Sequence, residues 1–204
     1  MSNARDRILI LGIGNLLWAD EGFGVRCVEV LGAESALPPS VRLMDGGTQG
    51  LYLLPYVTQA SHLLVFDAID YGLAPGSLKL VRGDEVPRFM GAKKMSLHQT
   101  GFQEVIAAAA LLGRLPRELV LIGVQPAQLE DFGGSLSEPV RGCIGDAIAL
   151  AGEVLASWGA SLRPRTEGRV DADALAIDRY ECGRPSAALA CRHGDARFLP
   201  AGEH

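Results

Sequence analysis

The chain has 204 residues, enough for one substantial α/β domain and too few for two comfortable ones. It is 48% hydrophobic and 21% charged, the balance of an ordinary globular protein rather than a disordered or fibrous one. The net charge is −5 and the lysines are only Lys79, Lys93 and Lys94, so nothing recommends nucleic acid or an anionic membrane surface as a partner.

The opening segment, "MSNARDRILILGIGN", has an apolar core too short for a signal peptide and no small-residue cleavage site after it. No apolar stretch approaches the ~20 residues needed to span a bilayer, so the expected location is the cytoplasm. "RILILGIG" (7–14) reads as a first strand, followed by a glycine-containing loop and a helix over roughly 22–31. "VRLMD" (41–45) is a second strand, and a short helix over 49–54 ends before Pro55, which disfavours helix in the residue preceding it. "HLLVFDAI" (62–69) is a third strand. Pro75-Gly76 makes a turn into "SLKLVRG" (77–83), which alternates as an edge strand does.

A helix over 99–112 turns Phe102, Val105, Ile106 and Ala109 inward and is stopped by Gly113 and Pro116. "LVLIGVQ" (119–125) is a further strand. The clearest helix spans 138–158, with a stripe that includes Val140, Ala147, Ala151, Val154 and Trp158; Ser137 is its predicted N-cap, Pro139 suits its first turn and Gly159 closes it. Short apolar runs alternating with amphipathic stretches are the pattern of parallel strands joined by crossover helices. The uninterrupted Val, Leu and Ile content of the four main strands predicts burial on both faces.

Cys27 and Cys143 fall inside predicted helices, where a free thiol behaves as a small apolar residue. There is no C-x-x-C pair to support a zinc or redox site. Residues 161–204 show no sustained period, and their seven acids balance seven bases; they read as a loosely ordered tail with one short helix near "VDADALAIDRY". Cys182, Cys191 and His193 within it match no strong metal pattern. The domain is therefore placed at 1–160 and the tail at 161–204.

"LGIGNLLWADEGFG" (11–24) invites a nucleotide-binding reading. A dinucleotide fingerprint needs G-x-G-x-x-G after the first strand. Gly12 and Gly14 fit and Asp45 could bind a ribose, but Leu17 replaces the third glycine. Asp20 and Glu21 at the far end would repel a pyrophosphate, and no cation precedes Arg26 to compensate.

Acids in that place suit other chemistry. In an open parallel sheet, ligands bind outside the carboxyl ends of the strands. Glu21 follows the first strand, Asp67 ends the third, and His98 begins the helix before "LVLIGVQ". Two carboxylates and an imidazole suit nickel, zinc or manganese and leave coordination positions open. A helix N-terminus also favours the neutral imidazole that binds a metal. Each residue has a plainer reading: Glu21 as a helix-dipole partner, Asp67 as an Asx-turn, His98 as a first-turn residue. Asp20 is expected to be an N-cap, and Asp45 with "GGT" a tight turn.

The stretches "ILILGIGNLLWADEGFGVRCVEVL", "DGGTQG", "FDAID", "SLHQTG" and "LVLIGVQP", in that order over about residues 7–158, resemble the maturation endopeptidases of nickel–iron hydrogenases. The resemblance implies a three-layer α/β fold with a twisted, mostly parallel five-stranded sheet and helices on both faces. It implies removal of a short C-terminal extension from the hydrogenase large-subunit precursor once nickel is inserted. Glu21, Asp67 and His98 would then be the catalytic and metal-contacting trio. The nickel would be carried by the precursor, with no tightly bound cofactor of the chain's own, and the chain is expected to be a monomer. Three alternatives stay open: a non-cleaving nickel-dependent chaperone of the precursor, a nucleotide-dependent α/β enzyme using Gly12, Gly14 and Asp45, and an endopeptidase of similar fold acting on another protein.

Overall fold

The computed structural model describes residues 7–90, 97–129 and 131–165; at 88–90 and 97–100 it describes the backbone path alone. In chain order the elements are β1 (Ile8–Ile13), α1 (Phe23–Glu34), β2 (Ser35–Ala36), β3 (Val41–Gly47), α2 (Leu54–Val57), β4 (His62–Ala68), β5 (Leu78–Arg82), α3 (Glu85–Met90), α4 (Leu97–Leu111), β6 (Glu118–Val124), α5 (Glu138–Gly142), α6 (Ile144–Ser157) and β7 (Arg163–Pro164). Short 3-10 turns over Ala19–Gly22 and Gly50–Leu53 precede α1 and α2.

The main sheet has the order β3-β1-β4-β6-β5. Its first four strands run parallel, and β5 pairs antiparallel with β6 at the edge. This is the expected mostly parallel five-stranded sheet. Every residue of β1 and β4, and all of β6 after Glu118, is buried. Alternate side chains feed two cores. Ile8, Ile10, Leu64, Phe66, Val120 and Ile122 meet Phe23, Cys27 and Leu31 of α1 and Ala147, Ala151 and Val154 of α6. Leu9, Leu11, Leu63, Val65 and Leu121 meet Val57 of α2, Val86 of α3 and Phe102, Val105, Ile106 and Ala109 of α4. Strands covered on both faces have no polar side to show, hence their continuous apolar runs.

Several expectations change. β3 is an edge strand with half of its surface open, so the apolar run "VRLMD" does not mark an interior strand. Asp45 and the two glycines after it belong to β3 itself, where the register against β1 shifts beyond Gly12; the turn comes afterwards, closed by a Gln49 N–H bond to the Gly46 carbonyl (3.1 Å). Pro55 does not end a helix but sits in the first turn of α2, where its missing N–H costs nothing.

The predicted 138–158 helix breaks at Cys143 (φ −96°, ψ 4°). Gly142 and Gly145 weaken the helix there, and the Cys143 thiol donates to the Val140 carbonyl (3.0 Å). Gly113 and Gly159 stop their helices in the left-handed conformation, with φ of 64° and 75°. Past Ala160, Arg163–Pro164 pairs antiparallel with Ser35–Ala36. The rest of the tail, including the helix expected near 170–180 and Cys182, Cys191 and His193, lies outside the described residues. Among the described residues no helix is long and apolar enough to cross a membrane.

Cys27 and Cys143 are buried free thiols, and burial pushes both thiols up from their usual range. The thiolate is the reactive form. Native protein exposed to iodoacetamide at pH 8 is therefore expected to leave both unmodified by peptide mass spectrometry. Alkylation should be rapid once the chain is unfolded in denaturant. Fast labelling of either in the native state would contradict this environment.

Candidate active site

The strand order fixes where a site can form. From β1 the chain moves outward to β3, then returns across β1 to β4 on the other side. Side-by-side strands whose connections depart in opposite directions leave a crevice beyond their carboxyl ends, the topological switch point of an open α/β sheet. Glu21 follows β1 in the turn Ala19–Gly22, and Asp67 is the penultimate residue of β4. The turn carrying Glu21 packs against β4. The two acids thus flank the crevice between β1 and β4.

The glycines of the opening loop make this close approach possible. A side chain on Gly12 would collide with the Gly24 carbonyl oxygen, and one on Gly24 with the carbonyl oxygens of Phe66 and Ile13. The first turn of α1 is thereby seated directly on β1 and β4. Gly14 has φ 138°, and a side chain there would strike the Glu21 carbonyl oxygen. The space beside Gly12 and Gly14 is filled by the chain's own backbone, so both glycines serve the close packing of the loop and the first turn of α1 on the sheet.

Asp67 is fully buried and its Oδ1 accepts the Ala68 N–H at 2.8 Å. That bond reaches one residue on, not the two of an Asx-turn. Leu63 and Val65 face the core beneath α4, and the alternation of β4 puts Asp67 on that same face. Helix α4 begins at this rim: a Cβ on Gly101, its fifth residue, would lie 3.3 Å from Cα of Gly50 in the loop after β3. His98 is the second residue of α4, so the backbone sets it on the rim and face of Asp67; its side chain lies outside the described set. Among the described side chains no three His, Cys, Asp or Glu residues form a metal-holding group.

Two neighbours of the acids escape the sequence reading. Tyr71 follows β4, and its hydroxyl occupies the space that a side chain on Gly123 would take. Gly123 pairs with Asp67 across the sheet, so that hydroxyl stands next to the carboxylate. Burial, then the Asp67 charge, holds the phenol above its ordinary range. The loop carrying it is fixed by Gln125, whose Oε1 accepts the N–H groups of Tyr71 (2.7 Å) and Leu73 (3.1 Å). Nothing in the local sequence announces a tyrosine that depends on a glycine fifty residues away.

Asp20 is the second. It is not an N-cap: it sits inside the 3-10 turn, which has no side-chain cap, and is fully buried. Its carboxylate accepts the N–H groups of Ala127 (2.8 Å), Gln128 (2.9 Å) and Ser137 (2.6 Å), and the Ser137 hydroxyl (2.9 Å). Ser137 accordingly does not cap α5 with its hydroxyl; its carbonyl takes the Val140 and Arg141 N–H groups instead. The loop after β1 is thereby fastened to the loop after β6.

A doubly wound, open α/β domain with buried acids at its switch point is the class that fold and site define. Comparison with known proteins makes this specific. The family model described as hydrogenase maturation protease matches residues 25–154, a span that holds Asp67 and His98 and begins just after Glu21. The hydrogenase expression/formation protein HoxM of Azotobacter vinelandii is 65% identical over 195 residues, covering 95% of this chain and 94% of the relative. The hydrogenase 2 maturation protease of Escherichia coli is 39% identical over 160 residues, covering 78% of this chain and 96% of the relative. Among solved structures, the hydrogenase maturating endopeptidase HybD from E. coli has a TM-score of 0.74 at 38% identity, covering 79% of this chain and 99% of that one. The chain belongs to the hydrogenase maturation protease family and is a peptidase.

Proposed function

We propose that this endopeptidase removes the C-terminal extension of a nickel–iron hydrogenase large-subunit precursor after nickel has been seated in it. Glu21, Asp67 and His98 are read as the groups that contact the nickel and carry the hydrolysis. The observation that carries the reading is that Glu21, in the turn after β1, and Asp67, at the end of β4, flank the switch point, with the start of α4 on the same rim. Two carboxylates and an imidazole form an oxygen and nitrogen set without thiolate, suited to touching a metal that another protein supplies.

Hydrolysis adds water to the scissile carbonyl, breaks the C–N bond and leaves a proton on the departing amine. A carboxylate next to the bond can take the proton from the attacking water and return it to that amine. A metal ion near the carbonyl lowers the barrier by polarising it. Asp67, held by the Ala68 N–H, and Glu21, anchored through its buried turn, are fixed in place before substrate arrives.

The deciding experiment incubates the chain with nickel-loaded and nickel-free precursor and reads the precursor's C-terminus by mass spectrometry. Cleavage of the loaded form alone is expected. Cleavage of both would remove nickel from the recognition, and cleavage of neither, with intact binding, would favour a chaperone.

A further inference from the structure

Exposed large hydrophobics are unevenly spread over the described residues. Leu17, Trp18, Leu51, Tyr52, Leu73 and Phe132 are exposed, and all lie in the loops that follow β1, β3, β4 and β6, on the rim that carries Glu21 and Asp67. Away from that rim the exposed ones are Leu111, Leu112 and Leu115, at the far end of α4. Clustered apolar surface at one edge marks an interaction site, whereas scattered single residues do not.

Part of this rim is built rigidly. Trp18 and Phe132 form an isolated antiparallel bridge, and their rings meet edge to face at 5.3 Å between centroids. The Gly133 N–H donates to the Leu17 carbonyl (2.8 Å), and the Asp20 N–H to the Gln128 carbonyl (3.1 Å). The buried Asp20 carboxylate adds its four bonds to the same two loops. Ala19, between Trp18 and Asp20, has φ 40°, the only positive φ at a described non-glycine residue. That conformation is costly and persists only where the surroundings hold it. The Trp18 carbonyl in turn accepts the Glu21 N–H (2.9 Å). A stiff apolar knob is therefore wired to the turn that presents a site acid.

We infer that Leu17, Trp18 and Phe132 form the docking surface for the precursor, receiving an apolar face of the folded precursor next to its cleaved segment. The inference rests on the function proposed above, which supplies the occupant. Aromatic side chains already fixed in place lose little freedom on binding, which is why rigid Trp and Phe make strong anchors. Trp18 stands three residues from Glu21 and is joined to it by one backbone hydrogen bond, so a precursor seated on Trp18 is held beside that acid. A second copy of this chain on the same patch would cover Glu21, so self-association there would close the site it borders.

The test uses the full chain and folded, nickel-loaded precursor. The double variant Trp18→Ser/Phe132→Ser is compared with Leu111→Ser/Leu112→Ser, which removes exposed apolar surface at the opposite end. The rim variant should raise KM for the precursor at least about tenfold, with a far smaller drop in the rate at saturation; the control should match wild type. Precursor binding, measured calorimetrically with cleavage blocked by Asp67→Asn, should weaken in parallel. Leu17→Glu, which leaves the ring pair intact, should act in the same direction if the double variant unfolds. Unchanged KM and affinity in both rim variants would overturn the docking surface while leaving the peptidase reading intact. A fall in the saturated rate alone would assign the patch to positioning Glu21 and overturn docking. A wild-type dimer in sedimentation that the rim variants dissolve would assign it to self-association. Wild-type protein that neither binds nor cleaves the precursor would overturn the functional reading and this inference together.

Discussion

Asp67→Asn is expected to abolish precursor processing while leaving the fold intact. The amide keeps the size of the carboxyl, and its oxygen can still accept the Ala68 N–H that now holds Oδ1 at 2.8 Å. What it loses is the negative charge, and with it the ability to take a proton from water or to contact a cation strongly. Positioned acid–base groups contribute about 10²–10⁴-fold to rate, and loss of the metal contact adds to this, so the processed band should vanish on the timescale of a wild-type reaction. Stability should fall little or rise, because a buried carboxylate gives way to a neutral group of equal shape. Matched melting curves and precursor time courses check both halves. His98→Ala belongs in the same series, since the backbone sets it on the same rim. Processing at the wild-type rate by either variant removes that residue from the chemistry.

The main strands were legible because β1, β4 and β6 are covered on both faces, and such strands advertise themselves as unbroken apolar runs. β3 carries a similar run at an edge, where Arg42 and Asp45 take the open positions; position in the sheet is a tertiary property that a five-residue string cannot state. Helix stops at Gly113 and Gly159 were legible because a left-handed cap is a local need. The rim placing of Glu21, Asp67 and His98 followed from strand order of occurrence and the carboxyl-end rule alone. The roles of Gly12 and Asp20 were not legible. Gly12 is small because Gly24 presses on it, and Asp20 is acidic because Ala127, Gln128 and Ser137 aim donors at it from more than a hundred residues away. Read locally, Asp20 has a commoner explanation, a helix cap, and that explanation is mistaken here.

Asp20 therefore yields the largest expected loss of stability. Asp20→Ala removes a fully buried carboxylate and leaves three part-buried backbone N–H groups and one hydroxyl without the partner they now have. Hydrogen bonds to a charged group contribute about 1.5–3 kcal/mol each, and water takes up part of the loss at these part-buried donors, so the variant should lose about 4 kcal/mol, among the large effects of single substitutions. In a chain of this size 1 kcal/mol shifts the melting midpoint by roughly 2–4 °C, which predicts a drop of about 10 °C or more. Asp20→Asn should fall between. Turning its oxygen to the Oδ2 site keeps the Ala127, Gln128 and Ser137 hydroxyl bonds, but its NH2 then faces the Ser137 N–H across a 2.6 Å gap. One conflicting donor corresponds to about 1–3 kcal/mol. The order wild type, Asn, Ala in thermal midpoint is the signature, and an Ala variant melting within two degrees of wild type would show that the four bonds do not hold the loops. Processing should decline further than stability accounts for, even well below the melting range, because the loops that Asp20 joins carry Glu21 on one side and Phe132 on the other. Loosening them displaces an acid of the site and an aromatic anchor of the rim in a single substitution.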